Sequence, residues 1–106
     1  MIVTTINKID ETHIAEVMDE MRTLGAPVIR VAESFCGFIA LEGSHRLEAA
    51  KRLGIEPIID VLDMDDEIDN PGFPDLDNRA YMVAEIVEFI GAPEGAAYDT
   101  DEDFIE

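Results

Sequence analysis

The segment GAPVIRVAESFCGFIALEGSHRLEAAKRLGIEPIIDVLD, residues 25–63, carries the decision about the fold. Its apolar run at 26–33, opened by Pro27, reads as a strand rich in β-branched side chains. SFCG turns the chain, with the lone cysteine Cys36 in the turn, and FIALE at 38–42 returns as a second strand. Gly43 breaks that pattern. SHRLEAAKRL then reads as a helix, with Ser44 as its N-cap and Gly54 as its stop. EPIIDVLD at 56–63 is a further strand, with Pro57 near its start, where a missing N–H is tolerated. A strand thus passes through a glycine turn straight into a helix N-terminus.

Working outward, the β-branched residues of MIVTTINKID predict a short leading strand. Asp10 is placed to cap a helix, Glu11 suits its first turn, and Ile14, Val17, Met18 and Met21 recur at helical spacing before Gly25. On the other side, residues 60–77 hold eight acidic residues and no Lys or Arg around NPGFP, which reads as a surface loop. A last helix is predicted over 78–90, with Val83, Ile86, Val87 and Ile90 on one face, Met82 and Phe89 beside them, and Gly91 and Pro93 at its end. The expected organisation is a core at 1–63, an acidic loop at 64–77 and a helix at 78–91 that packs on the core or forms a homodimer interface. An acidic, disordered tail follows at 92–106. The order of elements defines a small single-domain α+β fold with a short mixed sheet and about three helices.

The chain has 106 residues, 47% of them hydrophobic, enough for one modest core. No apolar run approaches the roughly 20 residues that span a bilayer. The N-terminus lacks a charged-then-apolar signal pattern, and one cysteine cannot form an internal disulfide; both fit a cytoplasmic protein. Against 25 acidic residues stand 7 Lys and Arg, a net charge of −18 that opposes binding to a phosphate backbone. Such a charge suits a high-salt cytoplasm, a basic protein partner, or a surface that mimics nucleic acid. Composition does not choose among them.

Against that background, His45, Arg46, Lys51 and Arg52 place four of the nine Lys, Arg and His residues within eight positions. A helix N-terminus presents unpaired N–H groups and the positive end of its dipole. With Gly43 allowing close approach, the N–H groups of Ser44, His45 and Arg46 can cradle a phosphate; Arg46 adds a two-pronged donor and His45 a proton donor. The plainer alternative makes Ser44 a cap and His45 and Arg46 solvated first-turn residues, with Leu47, Ala50 and Leu53 facing the core. Lys51 and Arg52, further along, serve to balance Glu48. In DMDDEIDNPG a calcium loop fails, because Asn70 stands where the loop needs glycine and Leu76 where it needs glutamate. No metal site is therefore assigned. His13 reads as an exposed helical histidine without a ligand partner, and Phe104 and Ile105 are candidate anchors of a docking tail.

Gly25, Pro27, Ile29, Val31, Gly43, Arg46, Ala49, Ala50 and Gly54 together resemble the N-terminal domain of the ParB family and its relatives, the sulfiredoxins and free serine kinases. The resemblance covers about residues 9–63. It implies a ParB/sulfiredoxin-like fold with a nucleotide site at Gly43, Ser44, His45 and Arg46. Partition proteins read GERR there and bind CTP; the following DNA-binding and dimerisation domains have no counterpart here, so partition-type DNA binding is not expected. Sulfiredoxins read G-x-H-R with a reactive cysteine at x, where this chain has Ser44. The kinase motif D-G-H-H-R is nearest: Glu42-Gly43-Ser44-His45-Arg46 keeps an acid, the glycine, one histidine and the arginine. By that resemblance His45 and Arg46 hold the phosphates of ATP, ADP or CTP, carried with Mg²⁺. Glu42 orients the metal or takes a proton from an attacking hydroxyl, and Lys8 is a second phosphate contact. The implied activity is nucleotide binding, with phosphoryl transfer to a small hydroxyl substrate as its catalytic form. Two non-catalytic readings stand beside it, a module for a basic partner and a CTP-responsive regulator.

Overall fold

The computed structural model describes residues 1–34, 37–69, 73 and 75–104. The readings of Cys36, of the NPGFP turn apart from Phe73, and of Ile105 lie outside the described residues. Ten elements follow in order: β1 (Ile2–Thr4), α1 (Glu11–Leu24), β2 (Val28–Ser34), β3 (Gly37–Ala40), α2 (Ser44–Leu53), β4 (Ile58–Leu62), β5 (Glu67–Asp69), β6 (Ala80–Met82), α3 (Val83–Ile90) and β7 (Ala97–Asp99). The fold is α+β, as expected, with three helices and a mixed five-stranded sheet in the order β4-β2-β3-β1-β7. The β1–β3 and β2–β4 pairs are parallel, while β2–β3 and β1–β7 are antiparallel.

Strand alternation divides the sheet's two faces between two cores. Ile29 and Val31 of β2 join Val3, Ile14, Val17, Met21, Leu47 and Ala50 in a core built with α1 and α2. Ala32, next along β2, and Leu41, just after β3, join Ile68, Tyr81, Val83 and Ile86, which belong to the β5–β6 hairpin and α3. One polar network ties the first layer together. Glu48 of α2 accepts from the Tyr98 hydroxyl at 2.6 Å and from Arg52 Nε at 2.8 Å, and Arg52 also grips both oxygens of Glu11. Burial works to raise the Glu48 carboxyl, but its bonds to Tyr98 and Arg52 outweigh this and hold it below the usual range. The balancing role assigned to Arg52 is thus visible.

Three expectations are corrected. Residues 92–104 of the tail are ordered on the core: β7 pairs with β1 in register Val3↔Tyr98, and Tyr98 and Phe104 are buried in the first core. Two aromatic side chains among carboxylates supply the apolar burial that the acidic composition concealed. The acidic loop contains β5, whose Ile68 is buried opposite Tyr81. The last helix accordingly starts at Val83 and not at residue 78, because residues 80–82 are used as β6.

Candidate functional site

The sequence around α2 folds as it does because of Gly43. Its φ of 84° is left-handed, and a Cβ there would stand 2.8 Å from Ile29 Cδ1 and 3.2 Å from Arg46 Nη2. Gly43 therefore occupies the cap position, and Ser44 is the first helical residue, a correction to its expected capping role. The buried Ser44 hydroxyl instead accepts from the Asn7 N–H at 3.3 Å. Asn7 lies in the loop between β1 and α1. Strap residues 94–96 hold that loop, with Gly95 N–H donating to Thr5 O at 2.9 Å and Glu94 N–H to Ile6 O at 3.3 Å.

The three helix starts are satisfied differently. In α1, Asp10 Oδ1 accepts from Thr12 N–H at 3.0 Å. In α3, the carbonyls of Asp66 and Met64 accept from Val83 and Ala84 N–H. In α2 no side chain caps the helix, no acidic residue occupies the first turn, and the Ser44, His45 and Arg46 N–H groups meet no acceptor among the described residues. These are the groups left over by helix geometry.

His45 and Arg46 flank that bare terminus. The Asp10 N–H donates to His45 Nε2 at 3.0 Å, so the neutral ring carries its proton on Nδ1. The His13 ring meets it edge-on at 4.6 Å. Burial, and then the neighbouring His13, hold His45 below the ordinary histidine value, with Asp10 opposing them. Arg46 donates to Val28 O at 3.2 Å and lies 3.5 Å from Glu42 Oε1, which leaves part of its five-donor fork unused.

A cavity of about 430 Å³ opens on this terminus. Gly43, Ser44, His45 and Arg46 line it on one side, and Val17, Met21, Leu24 and Pro27 form an apolar side. Asn7, His13 and Glu20 also line it, and sequence reasoning missed all three. A signal for two of them exists: His13, Val17, Glu20 and Leu24 recur at spacings of four, three and four, a single stripe of α1. Lys8 is exposed and outside the lining. Glu42 is also outside the lining but half-buried; it accepts from Arg30 Nε at 2.9 Å and thereby steadies Arg46. Among the described residues, no three His, Cys, Asp or Glu are grouped to hold a metal ion. No helix among them is long and apolar enough to cross a membrane. Comparison with known proteins returned no matching family model and no significant match to a curated protein or a solved structure.

Proposed function

We propose that the cleft between α1 and the start of α2 binds a nucleotide, with its phosphates against Ser44, His45 and Arg46. The observation that carries this reading is the bare α2 N-terminus, edged by an imidazole and a guanidinium, opening into a cavity of nucleotide-compatible size. The apolar side formed by Val17, Met21, Leu24 and Pro27 suits the nucleoside. ATP, ADP and CTP share this phosphate chemistry, and Mg²⁺ would enter bound to the phosphates. The chain's charge opposes the reading less than its total suggests. Residues 1–53, which contain all the lining, hold eight Asp and Glu against six Lys and Arg, a net of −2.

Phosphoryl transfer to a hydroxyl substrate is the catalytic extension of this reading. Glu42, the expected proton acceptor, serves better as the group that orients Arg46, because Arg30 and Arg46 both hold its Oε1. Glu20 supplies a carboxylate in the lining instead. Calorimetric titration with ATP, ADP and CTP in the presence of Mg²⁺ tests the binding claim. One of them should saturate the protein, and Arg46→Ala should weaken it about 10- to 100-fold, the weight of one or two charged hydrogen bonds. No heat of binding from any nucleotide at millimolar concentration would refute the proposal.

A further inference from the structure

The second half of the chain carries nearly all of the charge. Residues 54–106 hold 17 acidic residues and one basic one, a net of −16, against −2 for residues 1–53. Within 60–90, which includes the hairpin and α3, ten acidic residues accompany Arg79 alone. Arg79 is already engaged, lying 3.8 Å over the Tyr81 ring and 3.7 Å from Glu85. Asp60, Asp63, Asp65, Glu67, Asp69 and Glu88 take part in no ion pair among the described residues.

The same layer leaves apolar side chains uncovered. Met82, which ends β6 and caps α3, and Phe89 of α3, whose ring meets Phe73 edge-on, are 40% and 44% exposed. Glu67 is the register partner of Met82 across the hairpin, and Glu85 stands in the first turn of α3, one turn before Phe89. A thioether and an aromatic ring framed by carboxylates complement apolar residues framed by Lys and Arg.

We propose that this outer face of β5–β6 and α3 is a docking surface for a cationic amphipathic segment of another protein. Charge complementarity selects that occupant. A second copy would bring together two segments 60–90, each with a net charge of −9, and nucleic acid would be repelled. Adaptation to salt would place carboxylates over both halves, whereas the first half is nearly balanced. The inference is independent of the nucleotide cleft, which lies on the opposite layer.

Fluorescence anisotropy of the full chain tests it. The probe is a labelled peptide of about 18 residues, five helical turns, with Leu on one face and Lys on the other. The control keeps every Lys and replaces Leu by Ser, and both are measured at about 0.15 M salt. The Leu peptide should bind about tenfold tighter or better, and Met82→Ser should weaken it about three- to tenfold without lowering the melting temperature. Serine is itself a good cap at that helix start, so the variant should fold. Phe89→Ser should act in the same direction and Arg46→Ala should have no effect. Equal binding of both peptides, or undiminished binding by a folded Met82→Ser protein, would overturn the proposal. So would sedimentation showing a dimer that Met82→Ser dissolves, since the occupant would then be a second copy.

Discussion

The starts of α1 and α2 touch one another through the Asp10–His45 bond, yet they are built by opposite rules. The first has a capping carboxylate and Glu11 in its opening turn, the arrangement a helix dipole favours. The second has a left-handed glycine, a serine whose hydroxyl is committed elsewhere, and then a histidine and an arginine. In a chain with 25 acidic residues, an opening turn without one is a local rule broken. Such breaks are expected where a site needs them. The difference teaches that α1 begins in the way stability asks, whereas α2 begins in a way that leaves its positive end available to an anion.

Changing each start should have a different signature. Gly43→Ala should cost most, about 2–3 kcal/mol in urea unfolding, since it combines a left-handed backbone with a clash against Ile29. A loss below about 1 kcal/mol would show that the turn relaxes and that the α2 start is less constrained than described. Asp10→Ala should cost about 1 kcal/mol, the ordinary weight of a cap, and change nucleotide affinity by less than about twofold. Ser44→Ala should also cost about 1 kcal/mol by orphaning the Asn7 N–H, and should weaken binding as the Asn7 loop loosens. Equal effects of Asp10→Ala and Ser44→Ala on affinity would erase the contrast between the two starts.

The pH dependence sharpens it further. The His45 imidazole is held below the ordinary histidine value of 6.5, so the fold favours its neutral ring. That contribution is complete above pH 6.5 and is lost as pH falls through 6.5 toward the folded value. The urea midpoint should therefore drop below pH 6.5, and His45→Gln should flatten part of the drop. Nucleotide affinity should move the other way, rising as the pH falls, because the phosphate favours the charged ring. Parallel slopes in the parent and His45→Gln proteins would remove His45 from both arguments. The smallest effect should come from Lys8→Ala, which is exposed and outside the cavity. Stability should not change, and affinity should fall by about twofold at most through a screened charge.

Much of this was legible in the sequence. The Asp10 cap, the Gly25 and Gly54 stops, and the passage from strand to helix at Gly43 all follow from residues with narrow backbone roles, and the structure keeps them. Ser44 misled because a serine before a helical run ordinarily caps it; the left-handed Gly43 took that position and freed the hydroxyl for Asn7. The tail misled because its carboxylates outnumber Tyr98 and Phe104, although those two rings decide its placement. His13 was missed for another reason. Its neighbour His45 is 32 residues away, and only the packing of α1 against α2 brings the rings together.

The most direct test of the α2 start is an amide chemical-shift titration of the ¹⁵N-labelled protein with Mg²⁺–nucleotide and with pyrophosphate. Saturable shifts should be largest at Ser44, His45 and Arg46, followed by Asn7, with both ligands. Pyrophosphate should leave Val17 and Leu24 unmoved, while the nucleotide should shift them. Absent or non-saturating shifts at Ser44–Arg46, or shifts centred on the start of α1, would contradict it.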